Sequence, residues 1–299
     1  MAIIAVGSVA YDSLKTPFGE RERVLGGSAT HFSMGASLFT KVNLVGVVGE
    51  DFREEDIELL KQRGINLEGL VKKKGKTFFW KGEYGENLNE AITHDTQLNV
   101  FAEFDPVIPE SYMDSNILFL GNIHPALQLK VINQVKDKVK FIAADTMNLW
   151  INTTPNELKE VIKKVNLIFV NDGEARLLTG EKIVVKAAKK ILDMGPEYVC
   201  IKRGEYGASL FSKENIALLP AFPVEKVVDP TGAGDTFAAG FLGYVDKFGN
   251  FSFDTFREGL KVGTVLSSFQ IEDFSVDRMK TLTLTEVENR LNVFRNYIR

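Results

Sequence analysis

Short apolar runs alternate with longer segments whose apolar residues recur at helical spacing, and this rhythm persists along most of the chain. Ala2–Val9 reads as a buried strand ended by polar Asp12. Ser28–Phe39 is apolar at helical spacing behind Gly26 and Gly27, and Val42–Val48 returns to strand composition. Phe52–Arg63 has the charged face and apolar stripe of a surface helix, closed by Gly64. Four further apolar runs, Ile117–Leu120, Phe141–Ala144, Leu167–Val170 and Tyr198–Lys202, have strand composition. The segments beside them predict helices from Pro125, from Pro155, over Asp172–Leu178, over Lys182–Met194 and over Phe256–Phe269.

Strands alternating with helices in this way predict a mostly parallel sheet covered on both faces. Ligands of such sheets bind beyond the carboxyl ends of the strands. Asp12, Asn122, Asp145, Asn171 and Gly204 each follow an apolar run, so one shared cleft is expected. Residues 13–25 and 71–104 break the rhythm, the first polar and turn-rich, the second alternating polar with aromatic or β-branched residues. Both are expected in a small β lid, and 1–12, 26–70 and 105–299 in the main α/β domain. Phe78, Phe79, Trp80 and Tyr84 give the lid an aromatic surface that needs a partner, either a substrate or a second copy of the chain.

At 299 residues the chain can bury a large core. Its formal charge of −4 comes from 36 basic and 40 acidic residues with the signs intermixed, so no nucleic-acid surface is expected. No run reaches the roughly 18 apolar residues that cross a bilayer, which excludes a membrane partner at this stage. Cys200 is the single cysteine; with no disulfide framework, a reducing, cytoplasmic location is expected. It sits in an apolar strand and reads as a packed thiol.

The segment Val228–Phe241, VDPTGAGDTFAAGF, carries the most chemistry. An Asp-Pro turn leads into Gly232, Ala233 and Gly234, then Asp235, then a helical run. Small residues let backbone N–H groups converge at a helix mouth, where up to four donors lack an internal partner. A phosphate group fits such a nest; an ordinary glycine turn with Asp235 as a first-turn acid fits the same string. Asn171–Glu174 reads as a capping box, Asn171 at the cap and Glu174 three residues on. Lys202 follows a strand, where it either reaches solvent or meets an anion.

These pieces together resemble the ribokinase-like, or PfkB-type, carbohydrate kinase family over essentially the full length. Gly26-Gly27 is similar to its N-terminal glycine pair, Asn171–Glu174 to its N-x-x-E element, Lys202–Gly207 to its nucleotide-side strand and turn, and DPTGAGDTFAAGF to its C-terminal signature. The resemblance implies a three-layer α/β/α fold with a β-sheet lid, and an enzyme that moves the γ-phosphoryl group of ATP to an alcohol. Asp235 would be the catalytic base, and Gly232, Ala233 and Gly234 the anion hole. Asp12, Gly27, Ser28, His31, Asn122 and His124 would bind the acceptor. Asn171, Glu174, Lys202, Gly204 and Gly207 would serve ATP. Glu174 would hold Mg²⁺ through water, and Asp229 and Thr231 match positions that help bind a monovalent cation, K⁺, in some members. An ordinary aspartate, with a reference pKa of about 3.9, would be ionised at neutral pH.

The chain departs from the family pattern at two places. His31 stands where an Asn is common, and Asp145–Trp150, DTMNLW, lacks the expected Arg and carries an extra residue before Asn148. The expected acceptor is a sugar or sugar-like molecule. A nucleoside, of the adenosine type, is the alternative, with lid aromatics as its slot; a non-catalytic sugar- or nucleoside-binding module is the third reading. A homodimer through the lid is expected, because a small isolated β element is marginal alone.

Overall fold

The computed structural model describes residues 1–86, 88 and 91–298. Positions 87, 89 and 90 of the expected lid segment, and position 299, lie outside the described residues. The strands are β1 (Ala2–Val6), β2 (Ala10–Thr16), β3 (Gly19–Gly26), β4 (Lys41–Gly49), β5 (Ile65–Lys73), β6 (Phe78–Tyr84), β7 (Ala91–Gln97), β8 (Ile117–Leu120), β9 (Phe141–Asp145), β10 (Leu167–Asn171), β11 (Tyr198–Lys202), β12 (Ala208–Phe211) and β13 (Ile216–Leu219). The α-helices are α1 (Ser28–Ala36), α2 (Glu54–Gln62), α3 (Pro125–Val135), α4 (Asn148–Thr153), α5 (Pro155–Ile162), α6 (Asp172–Thr179), α7 (Val184–Asp193), α8 (Ala233–Phe248), α9 (Phe253–Gln270), α10 (Asp277–Thr281) and α11 (Leu284–Tyr297).

Nine strands form the main sheet in the order β13-β12-β11-β10-β9-β8-β1-β4-β5. Pairing is parallel from β5 through β11. β12 and β13 fold back antiparallel at the edge. Side chains of successive residues point to opposite faces of a strand, so every central strand feeds two cores. Ile3, Ala5, Phe119, Phe141, Phe169 and Cys200 enter the core roofed by α1, α8, α9 and α11. Ile4, Val6, Leu118, Leu120, Ile168 and Val170 enter the opposite core, closed by α3, α5, α6 and α7. In the first core Phe32 of α1 stacks on Phe119 with ring centroids 3.9 Å apart, and Phe241 of α8 is fully buried between Phe169 and Phe256. Burying one such ring stabilises the fold by roughly 1.5–3 kcal/mol. Cys200 is fully buried, and burial drives its thiol pKa up, as expected of a packing residue.

A second sheet, ordered β3-β2-β6-β7, is the lid. Its strands span Ala10–Gly26 and Phe78–Gln97, whereas Val71, Lys72 and Lys73 lie in β5 of the main sheet. Val100 and Phe104, beyond β7, are buried in the main core. β2 and β6 pair in parallel with Asp12 opposite Trp80 and Leu14 opposite Gly82. By the two-residue period of a strand, Asp12, Leu14, Trp80 and Tyr84 share one face. The lid aromatics are engaged with the body: Phe78 stacks on Phe101, and Trp80 packs with Leu14, Val228 and Phe274. No helix among the described residues is long and apolar enough to cross a membrane.

Candidate active site

Parallel pairing brings the carboxyl ends of β1, β8, β9, β10 and β11 to one edge of the sheet. Asn122, Asp145, Asn171 and Lys202 stand at or just beyond those ends. Against this edge lies the start of α8, whose N-cap Gly232 takes a left-handed conformation with φ 73°. A Cβ at Gly232 would also lie 2.3 Å from the His31 ring, so both backbone and space require glycine. Ala233, Gly234 and Asp235 form the first turn. Among the described residues, the amides of Gly232 and Gly234 meet no acceptor, while the Ala233 N–H donates to the Pro230 carbonyl at 3.1 Å. The expected three-amide hole therefore offers two of its amides, with Ala233 turned back into the loop.

The loop before α8 is fastened from beneath. Asp229, fully buried, accepts N–H donors from Thr231 at 2.9 Å and from Ser275 at 2.8 Å. Gln270 donates to the Thr231 carbonyl at 3.1 Å and also to the Ser275 carbonyl. Both Asp229 oxygens are thus occupied by the protein's own donors. Asp229 and Thr231 stand together, but among the described residues no group of three or more His, Cys, Asp or Glu side chains could hold a metal directly.

Asp235 faces a cluster of charge. Burial first, then the carboxylates of Asp145 and Asp12, push its pKa up to about 8 against the opposing pull of Lys202. The residue is only partly buried, and its neighbours hold its carboxyl above the range expected of an ordinary aspartate. Lys202 is the counter-charge. Its Nζ lies 2.6 Å from Asp145 Oδ2, with the two side chains 17% and 7% exposed. Burial works against the Lys202 charge, but Asp145, Glu174 and Asp235 outweigh it and hold the ammonium above its usual range. A Cβ at Gly234 would come 2.9 Å from this Nζ, which places the ammonium against the mouth of α8. Lys202 is therefore no solvent-reaching strand end.

Glu174 closes a capping box with Asn171: the Asn171 N–H donates to Glu174 Oε2 at 2.7 Å, and the Glu174 N–H donates to Asn171 Oδ1 at 2.8 Å. Burial and the Asp145 charge push Glu174 up to about 7, with Lys202 opposing. Among the described residues Glu174 Oε1 accepts no protein hydrogen bond, so the residues fit a water-bridged Mg²⁺ beside the phosphates. Capping and cation holding use different oxygens and are compatible. Gly204 and Gly207 flank the turn after β11. A Cβ at Gly207 would lie 2.0 Å from the Leu219 carbonyl, so packing alone requires that glycine.

On the acceptor side, Asp12 is buried beneath the glycine pair. A Cβ at Gly26 would lie 2.0 Å from its carboxylate, and Gly27 holds φ 94° with its α-carbon against the Ser8 backbone. Burial and the Asp229 charge push Asp12 up to about 7, with a Gly27 backbone hydrogen bond opposing. Ser28 is committed internally: its Oγ accepts from the Ser8 N–H at 3.1 Å, and its own N–H donates to Ser8 Oγ at 3.0 Å. Asn122 takes the Trp150 indole N–H at 2.7 Å. His124 caps α3, its Nδ1 accepting from the Ala126 N–H at 3.1 Å, and meets Trp150 edge-on at 5.1 Å. His31 is 1% exposed and lies against Gly232, and among the described residues neither ring nitrogen has a partner in hydrogen-bond geometry. Burial lowers its pKa to about 4, so the ring is neutral at pH 7. Its ring packs against the turn at Gly232.

Sequence reasoning missed two participants. Asp145 was placed at the cleft without its ion pair to Lys202, 57 residues away. Tyr84 was seen only as a lid aromatic, yet its hydroxyl accepts from Thr231 Oγ1 at 3.2 Å. The hint for Asp145 was an apolar run ending in a polar residue, and for Tyr84 the aromatic surface of the lid segment.

Comparison with known proteins agrees with this geometry. The model of the pfkB family carbohydrate kinases matches residues 2–281. A cytidine kinase of Thermococcus kodakarensis is 32% identical over 252 residues, covering 80% of this chain and 87% of that protein. Among solved structures, a nucleoside kinase of Methanocaldococcus jannaschii superposes with TM-score 0.78 at 22% identity, covering 98% of each chain. A ribokinase of Thermotoga maritima superposes with TM-score 0.77 at 20% identity, covering 98% of this chain and 99% of that one. With that match over almost the whole chain, the protein belongs to the pfkB family of carbohydrate kinases, ATP-using enzymes that here act on a small sugar- or nucleoside-like acceptor.

Proposed function

We propose that this enzyme is a nucleoside kinase, transferring the γ-phosphoryl group of ATP to a hydroxyl of a nucleoside's sugar. The observation that carries the choice of acceptor is the pairing of Asp12 with Trp80 across β2 and β6. Trp80 is only partly buried against Leu14, Val228 and Phe274, so a hydroxyl-binding carboxylate and the open part of a flat apolar ring share one face of the lid. A free sugar needs the first and has little use for the second; a nucleoside uses both. The similarity to a cytidine kinase supports the same reading over the sugar acceptor first expected.

In this reading Asp235 orients the acceptor hydroxyl and takes its proton late in transfer. The Gly232 and Gly234 amides meet the oxygens where negative charge gathers, and Lys202 adds a fixed positive charge beside them. Asp12 holds the acceptor hydroxyls, with Asn122, His124 and the Gly27 backbone around it. Asn171 and Glu174 would hold Mg²⁺ through water; when bound, it would offset phosphate charge. Gly204, Gly207 and α9 flank the adenine side. Asp229 and Thr231 remain the candidate surroundings of a K⁺ ion. We place the enzyme in the cytoplasm, and its second copy on the exposed β7 edge of the lid; a monomer in sedimentation at micromolar concentration would remove that dimer.

ATP consumption by the purified protein, with Mg²⁺ and a panel of nucleosides and free sugars, tests the acceptor. Stacking a base on an aromatic ring is worth roughly 5- to 150-fold in affinity, so the preferred nucleoside should exceed ribose in kcat/KM by that range. Chelating the divalent cation should abolish turnover. A free sugar used better than every nucleoside would overturn the assignment.

A further inference from the structure

We propose that Tyr84 is an acceptor-contacting residue of the lid, and that it fastens the bound acceptor to the phosphoryl-binding turn through Thr231. The proposal rests on the kinase reading of the cleft. Tyr84 ends β6, on the lid face that also carries Asp12 and Trp80. Its hydroxyl oxygen accepts from Thr231 Oγ1 at 3.2 Å, across 147 residues of sequence.

The Thr231 backbone is fully committed. Its N–H goes to Asp229 and its carbonyl takes Gln270. Its side-chain hydroxyl is the group left to meet the lid, one residue before Gly232 opens α8. The link therefore joins the lid to the turn before α8 by a side-chain hydrogen bond.

Tyr84 itself has a proton to spare. A tyrosine phenol, with a reference pKa of about 10, is neutral at pH 7. A phenol that accepts one hydrogen bond still carries one donor. Among the described residues that donor meets no acceptor, although the side chain is half-buried. A half-buried O–H facing the Asp12 side of the cleft is satisfied by an oxygen of the acceptor molecule. One phenol would then receive from the turn and give to the substrate, so that acceptor occupancy and turn geometry are set together.

Tyr84→Phe, Thr231→Val and the double variant test this, with cytidine or the best nucleoside of the panel as acceptor. Loss of one such hydrogen bond corresponds to roughly 3- to 10-fold. Tyr84→Phe should raise the acceptor KM by that factor and leave the KM for ATP within about twofold. It should also speed amide hydrogen exchange in β6 of the free protein, a readout that needs no turnover. Thr231→Val should speed the same amides, and adding it to Tyr84→Phe should change exchange little further, because both remove the same link. An unchanged acceptor KM, an equal rise in the KM for ATP, or fully additive exchange effects would each overturn the proposal. If no alcohol is phosphorylated by the wild-type protein, the kinase reading fails by itself. Unchanged exchange in both single variants would then refute the Tyr84–Thr231 link separately.

Discussion

Asp235→Asn is expected to lower kcat by about 10²–10⁴ while leaving nucleotide affinity nearly intact. The amide keeps the shape of the side chain at the third position of α8 but cannot take a proton. The same change should raise stability. In the folded protein Asp235 holds its proton up to about pH 8, whereas unfolded it releases the proton near pH 4. Between those values the native state binds more protons than the unfolded state, so this group's contribution to stability falls as pH rises. At pH 8 most of that penalty is present, and the neutral Asn escapes it. Thermal unfolding at pH 8 should therefore show the inactive variant melting no lower than the wild type, and the gap should close toward pH 4. A variant with normal turnover and a lower melting temperature would assign Asp235 to structure alone.

The pH–rate profile follows from the same cause. On the proposed mechanism Asp235 must be ionised to take the hydroxyl proton, so kcat/KM should rise with pH through about 8 and level off above it. Asp12 and Glu174, each pushed to about 7, add to the steepness of that limb. Initial rates across pH at limiting acceptor measure that limb; a limb near pH 4 would contradict the raised proton affinity of the cluster.

The layered fold was legible because its strands are buried on both faces. Ile117–Leu120 and Tyr198–Lys202 appear in the structure with the bounds read from their apolar runs. Such runs have no other stable place than the middle of a covered sheet. β5 was not legible: Ile65–Lys73 carries Glu68, Lys72 and Lys73, and its edge position leaves alternate residues in solvent. β13 hid for the same reason, with Ile216 and Leu218 exposed on the opposite edge. The helix read as Ser28–Phe39 stops at Ala36, where the chain turns back through Ser37 and Leu38. At the site, the glycines and Asp235 could be read because backbone conformation is a local property that sequence encodes locally. Which charges face one another is not local. That Asp145 reaches Lys202 and raises Asp235 depends on strand order β11-β10-β9, which two segments of sequence do not specify by themselves.

Lys202→Met should be the most damaging single change outside Asp235, for two separable reasons. The first concerns the fold. Asp145 is almost fully buried, and the ammonium at 2.6 Å is what makes its charge tolerable. Removing one partner of a buried pair typically costs about 3–5 kcal/mol, because the other charge is stranded. The second concerns the chemistry. With the ammonium gone, the opposing pull on Asp235 and Glu174 is lost, so both carboxyl groups should hold their protons to still higher pH. The turn at the start of α8 would also lose the side-chain cation that offsets the negative charge around Asp235. Adding Asp145→Asn separates the two effects. The double variant no longer strands a charge, so its melting temperature should recover most of what Lys202→Met loses. Turnover should not recover, because an uncharged pair cannot stabilise the oxygens of a transferring phosphoryl group. If turnover returned together with stability, Lys202 would be a structural partner of Asp145 and no more. If Lys202→Met melted like the wild type, the buried ion pair itself would be in doubt, and with it the reason given for the high proton affinity of the cluster.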